Sequence, residues 1–345
     1  MATTYAIPDG RVAMAATLWT GTGATQSISN AVNGVSFQPD FVWGKIRSGA
    51  DYHVLTDAVR GNTNFLKSNT TDAEITQTQN ITSFNSNGFT LGTNTDLNRS
   101  TYTFVGWQWK AGGAAVSNTA GSITSSVSAN TTAGFSVVTY TGTGANATVG
   151  HGLGVAPSMM IIKERSTTRD WIVYHVSLGA GNRVFLNLTD ASGASSTNFN
   201  NTTPTSSVFS IGATTATNES AGTYVAYCFA PVAGYSAFGS YTGNGSNDGP
   251  FIYTGFRPRF LLIKNTTTAG TNWEIWDSAR DLYNVESNRL YPDSSAAEST
   301  GQSAYDFLSN GFKARQGGAT DSNQSGATIV YAAFGENPFK YANAR

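Results

Sequence analysis

Apolar residues along this chain come in short runs separated by polar, glycine-rich segments, a pattern typical of strands joined by turns. One kind of run begins at a proline, stays apolar and ends in a lysine, as in residues 157–163 (PSMMIIK), and it predicts a central strand. In another kind, as in residues 223–229 (TYVAYCF), successive side chains point to opposite faces of the predicted strand, and the residues on both faces are apolar. We expect such strands to be covered on both sides. Helical periodicity is nearly absent.

Several blocks recur three times in one order. Each series has a Thr-Gly-x-Gly turn, the proline-to-lysine run and an aromatic strand. A short pair follows, which we align at residues 65–66, 185–186 and 289–290, and an alternating strand closes the series. The run prolines are Pro39, Pro157 and Pro258, and the lysines are Lys45, Lys163 and Lys264. Composition alone does not produce this order, so the sequence predicts an all-β fold of three tandem β-sandwich, jelly-roll-like repeats of about 100 residues.

The repeat boundaries give the domain organisation. Residues 1–113 form the first predicted repeat, residues 135–234 the second and residues 235–345 the third. Residues 114–134 are small and polar with little to bury, and they are interpreted as a linker, with a short strand at residues 122–127 as an open alternative. The sequence does not decide between a rod of three units and a compact three-lobed particle.

Charge limits the classes of partner. Charged residues make up only 12% of the chain, and 20 Lys and Arg are balanced by 21 Asp and Glu. This balance lacks the basic excess of a nucleic-acid-binding protein, so no nucleic-acid partner is expected. No apolar stretch reaches the ~20 residues of a membrane span, and residues 1–11 lack a signal-peptide core, so neither membrane insertion nor secretion by the usual route is expected.

Residues able to support catalysis or bind metal are scarce. The single cysteine, Cys228, lies in an apolar strand and is interpreted as a buried small side chain. His53, His151 and His175 are interpreted as strand histidines with hydrogen-bond partners, because no metal-ligand spacing surrounds them. We therefore expect no catalytic residue, no metal and no cofactor. Paired glycosidase carboxylates need not be close in sequence, so a carbohydrate-active enzyme stays as an alternative.

Two patterns give candidate ligand contacts. Asp57 and Arg60, like Asp277 and Arg280, are spaced to form an ion pair across a turn, and the alternative is a polar ligand contact or an interface pair. Most tryptophans are expected in the core. Trp107 and Trp109 share one strand face and are the best candidates for an exposed platform on which sugar rings stack.

Four segments carry a family resemblance: residues 38–43 (QPDFVW), 57–61 (DAVRG), 86–89 (SNGF) and 333–341 (AFGENPFKY). They resemble repeat proteins encoded by tailed phages of marine bacteria, some relatives of which carry concanavalin-like lectin domains. The resemblance implies a place on the surface of a phage particle after synthesis in the host cytoplasm. It implies no particular ligand and carries over no functional residue.

Three functions follow as expectations. The first is a virion structural protein displayed on the tail, fibre- or adhesin-like, that contributes to host-surface attachment. The second is a capsid decoration or cement protein that stabilises the head, and the third is the carbohydrate-active enzyme. The expected partners are other virion proteins of the tail or capsid, further copies of the chain in a homo-oligomer, and a host-surface glycan.

Overall fold

The computed structural model describes residues 5–336, and its regular elements are antiparallel strands with short helical turns. The all-β prediction is confirmed. The helical elements within these residues are a 3₁₀ turn (Gly10–Val12) and two one-turn helices, α1 (Thr95–Asn98) and α2 (Thr215–Asn218). The end of the fourth resemblance segment, residues 337–341, lies outside the described residues.

Lobe 1 spans residues 14–109. Its strands are β1 (Met14–Thr20), β2 (Gln26–Ser29), β3 (Phe41–Ile46), β4 (His53–Asp57), β5 (Asn64–Leu66), β6 (Ile75–Thr76), β7 (Ile81–Asn85), β8 (Gly88–Leu91) and β9 (Thr103–Trp109). They form a main sheet, β1-β9-β3-β4-β5-β6, and a smaller sheet, β2-β8-β7. An apolar core that includes Trp19, Phe89 and Phe104 lies between the two sheets, so the lobe is sandwich-like.

Lobe 2 spans residues 116–229. Its strands are β10 (Val116–Asn118), β11 (Ser125–Asn130), β12 (Phe135–Thr141), β13 (Ala147–Gly150), β14 (Met159–Glu164), β15 (Ile172–His175), β16 (Asn182–Phe185), β17 (Gly193–Ala194), β18 (Val208–Ile211) and β19 (Thr223–Phe229). The main sheet runs β10-β11-β12-β19-β14-β15-β16-β17, and β13 and β18 pair in a second, smaller sheet. A second apolar core lies between these two sheets.

Lobe 3 spans residues 236–335. Its strands are β20 (Ser236–Thr242), β21 (Phe251–Tyr253), β22 (Pro258–Asn265), β23 (Trp273–Asp277), β24 (Tyr305–Leu308), β25 (Gly311–Ala314) and β26 (Thr328–Gly335). The main sheet is β20-β26-β22-β23 and the smaller one is β21-β25-β24, with a third apolar core between them.

The three main sheets share one strand order. The segment β1-β9-β3-β4 of lobe 1 corresponds to β12-β19-β14-β15 in lobe 2 and to β20-β26-β22-β23 in lobe 3. The strand registers therefore define equivalent positions. Trp43 faces Trp107, Ile161 faces Tyr227, and Leu262 faces Ala332. The ladders also make Phe65, Arg183 and Arg289 equivalent, through their partners Ile75, Gly193 and Ser299.

The outer faces of the main sheets meet in one central core. In β19, Tyr224, Ala226 and Cys228 face the core of lobe 2, whereas Tyr227 and Phe229 face the central core. The prediction that both faces of this strand are covered is confirmed. Equivalent residues Trp43, Ile161 and Leu262 line a central apolar cavity of about 10 Å³, roughly the space of one water molecule. The three lobes therefore pack around a shared core and do not form a linear rod.

Equivalent hydrogen bonds link the lobes in a cycle. One set joins backbone N–H groups to carbonyls of the next lobe: Glu74 to Arg165 (2.8 Å), Ser192 to Thr266 (2.9 Å) and Glu298 to Arg47 (2.9 Å). A second set joins ring N–H groups to carbonyls of the preceding lobe: His53 to Tyr291 (2.9 Å), Trp171 to Lys67 (2.9 Å) and Trp273 to Phe185 (2.7 Å). Each lobe thus contacts both others through the same two positions.

The linker prediction for residues 114–134 is wrong. Strands β10 and β11 in this segment extend the main sheet of lobe 2, where β11 pairs with β12. Ile123 and Val127 are buried in the core of that lobe. Small polar residues form these strands because backbone hydrogen bonds hold them to their neighbours, and β10, at the edge of the sheet, needs few large side chains.

The Thr-Gly-x-Gly segments are confirmed as turns that require glycine. A Cβ on Gly21 would lie 2.1 Å from the Arg99 carbonyl oxygen, and Gly23 has φ 72°. The same close approach and positive φ occur at the other two turns. A buried asparagine holds each turn, since Asn98 accepts the Thr22 N–H at 2.9 Å. Its equivalents Asn218 and Asn323 do the same in lobes 2 and 3.

Candidate functional site

Trp107 and Trp109 do not form an exposed platform. Trp107 is 0% and Trp109 2% exposed, and both lie in the central core. The Trp107 ring packs edge-on against Trp43 with centroids 6.1 Å apart, and Trp109 contacts the ring of Phe260 at 5.3 Å. The hypothesis that sugars stack here is corrected, because the shared face of β9 is the one that meets the other lobes.

The two Asp–Arg patterns are buried ion pairs at lobe contacts. Arg60 Nε donates to Asp57 Oδ2 at 2.5 Å, and Arg280 Nε donates to Asp277 Oδ2 at 2.6 Å. The next lobe completes each pair: the Tyr227 O–H donates to Asp57 at 2.9 Å, and the Trp107 indole N–H donates to Asp277 at 2.9 Å. The turn-fixing and interface interpretations agree with this geometry. A ligand contact does not, since all four residues are buried.

The contact between lobes 2 and 3 has a histidine in place of the buried ion pair. The positions of Asp57 and Arg60 are taken in lobe 2 by His175 and Leu178. The His175 Nε2–H donates to the Tyr331 carbonyl of lobe 3 at 3.1 Å, and burial lowers the pKa of His175 to about 4, so the ring is neutral. The interpretation of His53 and His175 as strand histidines with hydrogen-bond partners is confirmed.

The three repeated lysines are buried at the ends of equivalent strands. Each Nζ donates to backbone carbonyls, as Lys163 does to Glu164 at 2.6 Å and to Thr71 of lobe 1 at 3.2 Å. Burial lowers the pKa of Lys45, Lys163 and Lys264 to about 8. Cys228 is also buried, and desolvation raises the pKa of its thiol to about 12. These groups serve the fold and are not accessible to a ligand.

An open recess of about 530 Å³ lies on the surface of lobe 2. Its volume falls within the range of about 300–1,000 Å³ typical of small-molecule sites. Strands β15 and β16 supply its floor, and the segments around β17 and α2 supply its walls. Its polar and aromatic lining includes Arg169, Asp170, Arg183, Phe185, Ser195 and Thr215.

The two arginines of the recess differ in their partners. Arg169 is paired, with Nη2 3.3 Å from Glu219 Oε2 and Nε 3.5 Å from Glu164 Oε2. Arg183 makes no ion pair within residues 5–336, and its guanidinium lies over the Phe185 ring, 4.6 Å from the ring centroid. Arg183 Nη1 has one long contact of 3.4 Å to the Ala194 carbonyl. Other N–H groups of its guanidinium therefore have no acceptor among the residues that the structure describes.

Sequence reasoning missed this recess. Our alignment matched residues 185–186 with 289–290, whereas the strand ladders place Arg183 at the position of Arg289. The sequence signal was an arginine two residues before an aromatic, in Arg183–Phe185 and Arg289–Tyr291. Recognising it requires the strand register, because the two segments have few other letters in common.

The part of the chain that the structure describes contains no group of three His, Cys, Asp or Glu side chains able to hold a metal ion. Nor does any helix within residues 5–336 have the length and apolarity to cross a membrane.

Comparison with known proteins gives a single type of match. No curated protein and no solved structure shows significant similarity to the chain. A family model described as a domain of unknown function, DUF7483, matches residues 12–338, which cover all three lobes. The chain therefore belongs to the DUF7483 family.

Proposed function

We propose that this chain is a structural protein of a bacteriophage particle, displayed on the tail, which contributes to attachment to the host surface through the recess of lobe 2. The observation that carries the proposal is the recess itself: an open, polar site with an arginine that makes no ion pair within residues 5–336. Hydroxyl and guanidinium donors around an open recess suit the polar edges of a sugar.

The way the charged groups are used supports a binding role without catalysis. The most strongly buried ion pairs, such as those of Arg60 and Arg280, hold lobes together rather than face a cleft. The lobe cores and the central core give a rigid support for surface segments, which is what an attachment protein needs. The sequence resemblance to phage repeat proteins points in the same direction.

We also propose that the lobes are three tandem β-sandwich repeats of jelly-roll type that diverged from one unit. The support is the common strand order, the equivalent glycine turns and the cyclic hydrogen bonds between lobes. Superposition of the lobes in an experimental structure tests this. Main-sheet strands that fail to overlay in the same order contradict it.

A second candidate is a capsid decoration protein, and the cyclic packing of the lobes favours it. A single chain with three equivalent contacts presents a nearly threefold face, which suits a position where three capsid subunits meet. In both candidates the partners are other virion proteins, and many copies are bound per particle.

Imaging separates the two candidates. Immunogold labelling of purified particles is expected to decorate the tail, and label over the capsid faces supports decoration instead. Label at neither place contradicts the virion proposal.

A cell-binding assay tests the recess. Ala194→Trp fills the recess, because Ala194 is exposed and lines it, whereas Ala24→Trp places the same ring on an exposed turn of lobe 1. We expect the purified wild-type chain and Ala24→Trp to bind host cells and to compete with phage adsorption, and Ala194→Trp to lose both properties. Equal binding by all three proteins contradicts attachment through the recess. Release of reducing sugar from host polysaccharide indicates the enzyme alternative.

A further inference from the structure

We infer that the recess of lobe 2 binds an acidic saccharide unit, whose carboxylate pairs with Arg183. This inference rests on the proposed function, because it names the class of glycan that the recess takes. The argument starts from the equivalent positions in the three lobes.

The position of Arg183 has a different environment in each lobe. In lobe 3, Arg289 Nη1 donates to Glu274 Oε1 at 2.6 Å, and Glu274 is fully buried. In lobe 1, the equivalents of these two residues are Phe65 and Val54, both buried in the apolar core. Lobe 2 alone among the three combines the arginine with an apolar residue, Ile172, at the position of Glu274.

Lobe 2 thus keeps the cation of this pair and lacks its internal anion. Arg183 lies over Phe185 much as Arg289 lies over Tyr291, with guanidinium-to-centroid distances of 4.6 and 5.0 Å. The stacked ring holds the guanidinium in place, so little side-chain entropy is lost when a planar carboxylate binds in a bidentate manner. The carboxylate of a ligand therefore takes the part that Glu274 plays in lobe 3.

The recess also leaves space beside this arginine. A Cβ at Gly193 would lie 2.9 Å from Arg183 Nη1, and the equivalent positions in lobes 1 and 3 are Ile75 and Ser299. The glycine keeps that side of the guanidinium clear.

The rest of the lining favours a sugar over a simple anion. Ser196, Thr197 and Thr215 offer exposed hydroxyl groups around the opening, whereas the Ser195 hydroxyl already donates to Asn198 Oδ1 at 2.5 Å. Hydroxyl groups also bond phosphate, but a recess of about 530 Å³ has room for a whole pyranose, and its hydroxyl groups match those of the sugar. An acidic pyranose, such as a uronate, uses both the hydroxyl groups and Arg183.

Calorimetric titration with defined probes tests the inference. The probes are oligosaccharides of galacturonate, glucuronate and mannuronate, each paired with its carboxyl-reduced neutral counterpart, together with inorganic phosphate and acetate. We expect at least one acidic oligosaccharide to bind the wild-type chain at least tenfold more tightly than its neutral counterpart. We expect phosphate and acetate to bind more weakly than that oligosaccharide.

Two variants and a charge control assign the preference to Arg183. Arg183→Gln is expected to abolish the preference for the acid. Ile172→Glu introduces the pair that Arg289 and Glu274 form in lobe 3, and it is expected to abolish the preference while Arg183 is retained. Lys313→Gln removes one positive charge on lobe 3 at a residue that does not line the recess, and it is expected to keep the preference. Unfolding curves show whether each variant is folded.

The outcomes separate this inference from the proposed function. Three results overturn the inference that the ligand is acidic but leave attachment through the recess intact. They are equal affinity for acidic and neutral sugars, loss of the preference in Lys313→Gln, and unchanged preference in Arg183→Gln. The inference is also overturned if phosphate or acetate binds as tightly as every saccharide. It is overturned, too, if no saccharide binds although Ala194→Trp still loses cell binding. Cell binding that survives Ala194→Trp overturns the proposed function itself.

Discussion

Arg60 is expected to be one of the strongest single contributors to the contact between lobes 1 and 2. Its side chain donates to Asp57 Oδ2 at 2.5 Å, to Glu74 Oε2 at 2.8 Å, to the Leu55 carbonyl at 2.9 Å and to the Tyr227 hydroxyl at 2.9 Å. The side chains of Arg60 and Asp57 are both fully buried. Arg60→Leu replaces this arginine with the residue type found at the equivalent position, Leu178.

The expected loss follows from what the substitution leaves behind. Asp57 keeps the hydroxyl of Tyr227 and the backbone N–H of residue 60 but loses its cation. Removal of one partner of a buried ion pair costs about 3–5 kcal/mol, because the remaining charge is buried without compensation. The double variant Asp57→Asn with Arg60→Leu removes that charge, so we expect it to be more stable than Arg60→Leu alone by about 2 kcal/mol.

Urea unfolding at pH 7, followed by tryptophan fluorescence and by far-ultraviolet circular dichroism, measures these differences. Coincident transitions from the two probes justify the use of one free energy of unfolding. Arg315→Leu is the matched control, since Arg315 Nε is 3.4 Å from Asp306 Oδ2 in an ion pair whose arginine side chain is 46% exposed. We expect it to change the free energy of unfolding by no more than about 1 kcal/mol. The reasoning is refuted if Arg60→Leu costs no more than this control, or if the double variant is less stable than Arg60→Leu.

Three further outcomes are expected. Lys45 has a pKa of about 8 in the folded chain, against about 10.4 in the unfolded chain. Between these pH values the unfolded state binds more protons, so the free energy of unfolding rises with pH by up to about 3 kcal/mol. Comparison with the pH profile of Lys45→Met isolates this contribution, and identical profiles for the two proteins contradict it. Trp109→Ala is expected to lower the free energy of unfolding by about 3–5 kcal/mol while the affinity for any saccharide stays unchanged, as calorimetry would show. Cys228 is expected to react with a thiol reagent only in denaturant, because the thiol is buried and its pKa is about 12; fast labelling of the native chain contradicts this.

The pattern of apolar residues predicted where strands lie, but it did not predict what packs against them. The two apolar faces of residues 223–229 correctly indicated a strand covered on both sides. What covers the second face could not be derived, because the central core is made by residues far apart in sequence, such as Trp43 and Leu262. Burial of Trp107 and Trp109 follows from that same packing, which one repeat considered by itself does not reveal.

The wrong linker prediction and the missed recess both have physical causes. Residues 114–134 carry little apolar surface, and composition cannot distinguish a linker from small polar strands held in a sheet by backbone hydrogen bonds. The recess escaped notice because its key residue, Arg183, has meaning only in comparison with Arg289, and that comparison depends on strand register. Ion pairs three residues apart, by contrast, were visible in the sequence because turn geometry brings such residues together.

Joining three similar lobes in one polypeptide has a consequence for how such a protein changes over time. In an assembly of three identical subunits, a substitution appears at every interface at once. Here each interface is encoded separately, so His175 and Leu178 stand in one contact while the buried ion pairs persist in the other two. One lobe can thereby carry a surface opening while lobe 1 has buried apolar side chains and lobe 3 an ion pair at the equivalent positions.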